Sequence, residues 1–147
     1  MTKSFRAQIE DIAKLTEKQL VAVVVDSVQD VLEGAQSTQP GVAQTGGSFV
    51  EGKLPVDTRS LLQSLELGYN GSYSPTAGSV TLSAAQFNLG DTINARWTAE
   101  YALRIEQGFS GTDALGRTYN QAGRFFVTRN AEKFSQFVAK NAALRRV

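Results

Sequence analysis

The chain has no cysteine and no histidine among its 147 residues. That double absence excludes disulfide staples, thiolate nucleophiles, imidazole-based triads and zinc sites built on sulfur or imidazole. Carboxylate metal sites and paired-carboxylate hydrolysis stay within the inventory. Long apolar runs are also lacking: the longest, residues 20–25, is six residues, against the roughly 20 needed to cross a bilayer. No membrane partner is expected. The first fourteen residues mix acids and bases without an apolar stretch, so no secretion signal is expected and the chain is expected to fold in a cytoplasm. Nor does one sign of charge dominate, since 15 Lys and Arg face 14 Asp and Glu for a net +1, which argues against a nucleic-acid polycation. The distribution is less even: residues 1–100 carry −4 and residues 101–147 carry +5. Placed on different faces, these segments would draw two copies together head to tail; the alternative is solvation of two unrelated surfaces. The length fits one domain, residues 1–147, with one core.

What is present is organised around residues 54–65, LPVDTRSLLQSL. Pro55 fixes φ and pushes Leu54 toward an extended conformation. Asp57 then caps a short helix, with Val56 and Leu61 placed to clasp as a hydrophobic staple. After Ser64 the apolar period changes from helical to alternating.

Upstream, Phe5, Ile9, Ile12, Leu20, Val24, Val28 and Val31 recur at helical steps over residues 5–32, with Gly34 as a stop. This predicts a core-facing helix with Val21 and Val25 on its opposite face, free to touch a neighbouring subunit. A buried strand over the β-branched Val23, Val24 and Val25 is the alternative. Residues 34–52 are rich in Gly, Gln, Ser and Thr and show no period. A loop this long reads as disordered or as an arm laid on a partner, anchored by Phe49 and Val50.

Downstream, a strand over 65–70, a turn over 71–78, a strand over 80–89 broken near Ala84 and Ala85, and a strand over 93–97 make an antiparallel meander. Thr98 is expected to cap a helix over 99–107 that stops at Gly108. Its apolar residues Tyr101, Ala102, Leu103 and Ile105 surround most of its circumference. Residues 108–123 form a second long loop whose glycines match no phosphate-binding pattern; a solvated loop or hairpin is one reading, a docking extension bearing Phe109, Leu115 and Tyr119 the other. Residues 124–146 close the chain as a helix with Val127, Ala131, Phe134, Val138 and Ala142 inward and a basic solvent face. The fold class is therefore α+β: an antiparallel sheet of three to five strands packed against a long N-terminal helix and a C-terminal helix, with two long extended loops.

Pro55, Val56, Asp57 and Thr58, followed by Leu61 and Ser64, and then Tyr101, Ala102, Glu106 and Gly108, together resemble a family. Long-tailed bacteriophages and related gene-transfer particles carry small neck, or tail-completion, proteins with a Pro-Val-Asp-Thr-Gly segment, a Leu-x-x-Ser helix and a downstream Tyr-Ala-x-x-x-Glu-x-Gly segment. Arg59 departs from the pattern, standing where that family has glycine. The resemblance covers residues 53–147.

It implies a structural virion protein: a cyclic homo-oligomer, expected to be hexameric, in the neck between head-closure or adaptor proteins and the tail terminator or tail tube. DNA would pass through its channel without sequence-specific contact. Assembly would take place in the host cytoplasm. No catalytic residue, cofactor or metal is implied. The expected subunit or ring-to-ring contacts are Phe49, Val50, Phe109, Leu115, Tyr119, Phe125 and Phe126, apolar groups in exposed segments, in interfaces of roughly 1,000 Å² or more. Three alternatives stand beside this: a tail terminator capping the tube, a DNA-binding module using the basic C-terminal helix, and a hydrolase using Glu100 and Glu106, whose six-residue separation puts them on different helical faces.

Overall fold

A computed structural model describes Ser4, Arg6, Ala7, Ile9 and residues 16–41, 49–56, 59–112 and 114–145, the side chain of Tyr119 excepted. Its first long element, α1 (Glu17–Ala35), starts at a capping box. The Thr16 hydroxyl accepts from Gln19 N at 3.2 Å, and Gln19 Oε1 accepts from Thr16 N at 2.9 Å. This cap divides the helix expected over 5–32, for although Arg6, Ala7 and Ile9 are helical, Thr16 is extended, with ψ at 161°. The Thr-x-x-Gln signal is legible in the sequence, and it outweighs the continuous apolar period.

The buried face of α1 also differs from the expectation. Val23 and Val25 are 1% and 2% exposed, whereas Val24 is 39% exposed. The helix is covered from two directions. Leu20 and Val23 pack on Val138 and Ala142 of the last helix, and Val28 and Leu32 pack on Leu65 and Leu67 of the sheet. Packing on both sides keeps three consecutive β-branched residues helical. Val25 therefore belongs to the chain's own interior and not to a subunit contact.

Three strands form the main sheet in the order β4–β3–β5: β3 (Leu65–Tyr69), β4 (Ser74–Pro75) and β5 (Ile93–Trp97), all antiparallel, with Leu65 opposite Trp97 and Tyr69 opposite Ile93. Leu65 and Leu67 point into the core, as the alternation predicts. The strand expected over 80–89 is not one. Among the described residues no strand pairs with residues 80–83, which lie along α1, where Leu82 N donates to Gln29 Oε1 at 3.0 Å. The expected break falls where predicted, as a 3-10 turn at Ala84–Gln86.

The segments read as long loops are tied down. Strand β1 (Thr38–Pro40) pairs in parallel with β2 (Leu54–Val56), anchoring the first segment at both ends. In the second segment, β6 (Gly108–Thr112) and β7 (Thr118–Ala122) make an antiparallel hairpin. Short helix α2 (Ser60–Gln63) follows β2, and α3 (Ala102–Gln107) precedes the hairpin. Thr98 does not cap α3: its N–H and hydroxyl both donate to Ser64 O, extending the sheet ladder by one residue.

The closing helix is two helices, α4 (Thr128–Ala131) and α5 (Phe134–Arg145). It begins later than expected because Phe125 has a left-handed backbone, φ +50°. On α5 the residues turned inward are Asn141 and Ala142, while Phe134 is 38% exposed. Asn141 Nδ2 donates to Ser27 Oγ at 3.1 Å, and Ser27 in turn donates to Val23 O. A polar stitch inside the helix pair thus replaces part of the expected apolar stripe. Gly34 is not the stop of α1 but its point of closest approach: a Cβ there would lie 2.1 Å from Asn130 Oδ1 on α4.

The α+β class, with a three-stranded antiparallel sheet, a long N-terminal helix and a C-terminal helix, is as the sequence predicts; α5 packs on α1. Trp97 joins the sheet core to a second cluster built from Ala35, Leu54, Leu61 and Phe126.

Candidate interaction surface

The two motif segments meet in space. Leu61 is 2% exposed and shares a cluster with Val56, Ala102 and Ile105, around Phe126 and Leu54. Pro55 is buried in β2. Ser64 donates to Leu61 O at 2.8 Å, closing α2, and its own carbonyl takes the two bonds from Thr98. Asp57 and Thr58, and with them the expected cap, lie outside the described residues; α2 starts after Arg59, whose backbone is left-handed at φ +67°.

Glu106 acts at a distance of some twenty residues. Its carboxylate accepts from Val127 N at 2.9 Å, from Thr128 N at 2.9 Å and from the Thr128 hydroxyl. It therefore supplies the N-terminal cap of α4 from another element, satisfying amides that the helix itself leaves open. Gly108, φ +86°, follows directly, and a Cβ there would lie 2.7 Å from Gln121 O at the hairpin base. Tyr101 is 40% exposed and Ala102 is turned inward.

The seven residues expected to touch partners have different fates. Phe126 is 1% exposed and meets Trp97 edge to face at 5.2 Å, so it is core and not interface. Phe49, Phe109 and Phe125 are half-buried, each beneath an arginine of its own chain: Arg124 at 3.8 Å, Arg104 at 4.2 Å and Arg129 at 5.4 Å. A guanidinium stacked on a ring face shields it from water and is attracted by its quadrupole. Val50 and Leu115 remain outward, at 58% and 78% exposure. The side chain of Tyr119 lies outside the described residues.

The split charge folds onto itself. Lys140 reaches Asp30 at 3.0 Å, Arg129 reaches Glu51 at 3.0 Å, and Arg145 pairs with Asp26. Bases of the C-terminal segment thus neutralise acids of the N-terminal one, weakening both the head-to-tail attraction and the basic solvent face expected of α5. Burial pushes the Asp30 carboxyl up, but hydrogen bonds from Asn141 and Lys140 and the nearby Lys140 charge outweigh it and hold the group below its ordinary range.

Sequence reasoning missed the exposed apolar residues Val24, Leu89, Leu103 and Leu144. Val24 and Leu89 border a dent of about 90 Å³ between α1 and residues 87–93, also lined by Phe87 and Ile93. Leu89 was legible as the end of an apolar alternation, but only if that stretch was known not to be a strand. It missed Gln36 as well, which joins three elements: its side chain accepts from Trp97 Nε1 at 2.8 Å and donates to Leu62 O and Gly78 O. Among the described residues no group of three or more acidic side chains could hold a metal ion, and no helix is long and apolar enough to cross a membrane. No family model, curated protein or solved structure matches the chain.

Proposed function

We propose that the chain is a structural protein of the neck of a long-tailed phage particle, forming a ring that joins the head-closure layer to the tail tube and leaves a channel for DNA. The observation that carries this reading is the backbone of Arg59. The family pattern has glycine at that position, and the left-handed conformation there, φ +67°, is one that glycine adopts freely and other residues at a cost. The departure from the pattern is thus in the side chain and not in the conformation the pattern encodes. The convergence of both motif segments on one cluster supports the same reading. So does the hairpin, whose exposed Leu115 suits a docking arm between layers.

The contact set differs from the one expected from sequence. Phe126 is removed from it, and Val50 and Leu115 are its outward members, with Leu89, Leu103 and Tyr101 added. A DNA-binding role gains no support, because Lys140 and Arg145 are engaged by Asp30 and Asp26. The test is genetic and visual. Particles made without the chain should appear by electron microscopy as filled heads and separate tails, and deletion of residues 111–116 should give the same phenotype. Normal joining in the first case would end the neck reading; normal joining in the second alone would remove the hairpin from it.

A further inference from the structure

The three-stranded sheet has an open edge. Asn70 N–H donates to Thr92 O at 2.8 Å and Thr98 N–H to Ser64 O at 3.1 Å. With Leu67 opposite Ala95, these two bonds set the phase of the ladder: Asn94 and Arg96 exchange hydrogen bonds with β3, and the backbone groups of Ile93, Ala95 and Trp97 point away from it. Among the described residues no strand pairs with that edge and no hydrogen bond engages those three amides. An edge of this kind is a template for a further strand. The same chain holds a candidate. Among the described residues the β6–β7 hairpin is a sheet of two strands, an arrangement that is marginal in water until a third strand joins it. Both β5 and β6 are five residues long.

We propose that β6 of one copy adds to the open edge of β5 in another copy. The combined sheet then runs β4–β3–β5 in one subunit and β6–β7 in the next, antiparallel throughout. This register sets Ser110 opposite Ala95 and Thr112 opposite Ile93, and it ends at Gly108, whose N–H donates to Arg104 O. The hairpin tip, residues 114–117, is thereby carried past Ile93 toward the dent that Val24, Phe87 and Leu89 line. Leu115 is the exposed apolar group at that tip. The occupant is a second copy of this chain because the strand, the edge, the apolar tip and the apolar dent are all its own. Donor and acceptor surfaces differ, so each copy can give one contact and take another, a head-to-tail geometry that forms a ring when its rotation closes and a filament when it does not. The contact rests on the neck reading for that closure; the pairing itself follows from the two edges.

The chain has no cysteine, so single introduced thiols report a single contact. An Ala95→Cys copy is mixed with a tagged Ser110→Cys copy and oxidised; directly paired Cα atoms lie about 5.5 Å apart, within the roughly 4.4–6.8 Å that a disulfide spans. The expected product is the heterodimer in excess over either homodimer, and adding Leu115→Asp to the tagged copy should lower its yield several-fold. Dimers in random proportion, or none while both variants show a folded circular dichroism spectrum, would overturn the proposal. A second readout uses the unmodified protein: amide exchange at Ala95 should slow as concentration rises, while Asn94 and Arg96 are protected throughout. Concentration-independent exchange at Ala95 would overturn it equally. Particle joining separates this proposal from the neck reading, since thiol pairing with normal joining keeps strand addition alone, and failed joining without pairing keeps the neck role alone.

Discussion

The base and the tip of the hairpin region are made of the same kinds of residue and meet opposite fates. At the base, Phe126 follows a run of glycine and polar residues and is 1% exposed; at the tip, Leu115 sits in a similar run and is 78% exposed. Their immediate neighbours differ, Phe125 and Val127 around Phe126 and Ala114 and Gly116 around Leu115, but neither setting says whether the side chain is covered. What differs is which elements return to that place. The base is crossed by α1, β2, α2 and α3, whose Ala35, Leu54, Leu61 and Ala102 close over the ring, whereas no strand besides β6 and β7 reaches the hairpin among the described residues. An apolar side chain in a connection is evidence of burial somewhere, and only the path of the rest of the chain says whether its own subunit provides it.

Substitutions can break or sharpen that contrast. Phe126→Ala should have the largest effect, about 3–5 kcal/mol, a large part of the roughly 5–15 kcal/mol of a typical domain; urea unfolding followed by circular dichroism measures it. Gly34→Ala comes next. Its new methyl meets the Asn130 side chain, which is held by bonds to Gly52 O and Phe126 O. A loss of about 1–3 kcal/mol is expected, and no loss would show that α4 moves away easily.

Asp30→Asn tests the helix pair by pH. Folding lowers the pKa of this carboxyl, so its contribution is present above the unfolded group's pKa and disappears as pH falls through the folded one. The variant should unfold at lower urea than the parent at pH 7, with the gap closing as pH falls below the ordinary carboxylate range. A gap that stays constant would assign the effect to packing and not to charge.

Arg59→Gly should stabilise. Relief of a left-handed backbone is worth about 1–2 kcal/mol, reduced by the roughly 0.5–1 kcal/mol that glycine's freedom adds to the unfolded chain. Leu115→Ser should change stability least, within about 0.5 kcal/mol, while impairing self-association. A large loss of stability there would mean that the tip is covered after all.

How much of this was legible varies along the chain. The β3 and β5 strands were readable because their alternation is local; in β3 it matches the buried Leu65 and Leu67, whereas β5 has no fully buried residue. The α1 helix was readable as a helix but not as to which face is buried, because a helix covered by a sheet on one side and by α5 on the other buries two stripes that overlap in the sequence pattern. The stretch over residues 80–83 has a strand's alternation without a strand's pairing: Val80 and Leu82 turn toward the sheet cluster, and the side chain of Gln29 takes the backbone bond that a neighbouring strand would have taken. Glu106 was singled out by its motif, yet its work as a cap for α4 depends on a helix that begins more than twenty residues later.

Taken alone, the sequence settled the class of the fold, the side-chain chemistry it lacks the residues for, and the positions of β3 and β5, since composition and period are properties of neighbouring residues. The tertiary structure alone decided which aromatic rings are core, which arginines cover the remaining rings, how the acidic and basic segments cancel, and which strand edge stays open. Each of those depends on residues tens of positions apart arriving at one place, and no local pattern records such a meeting.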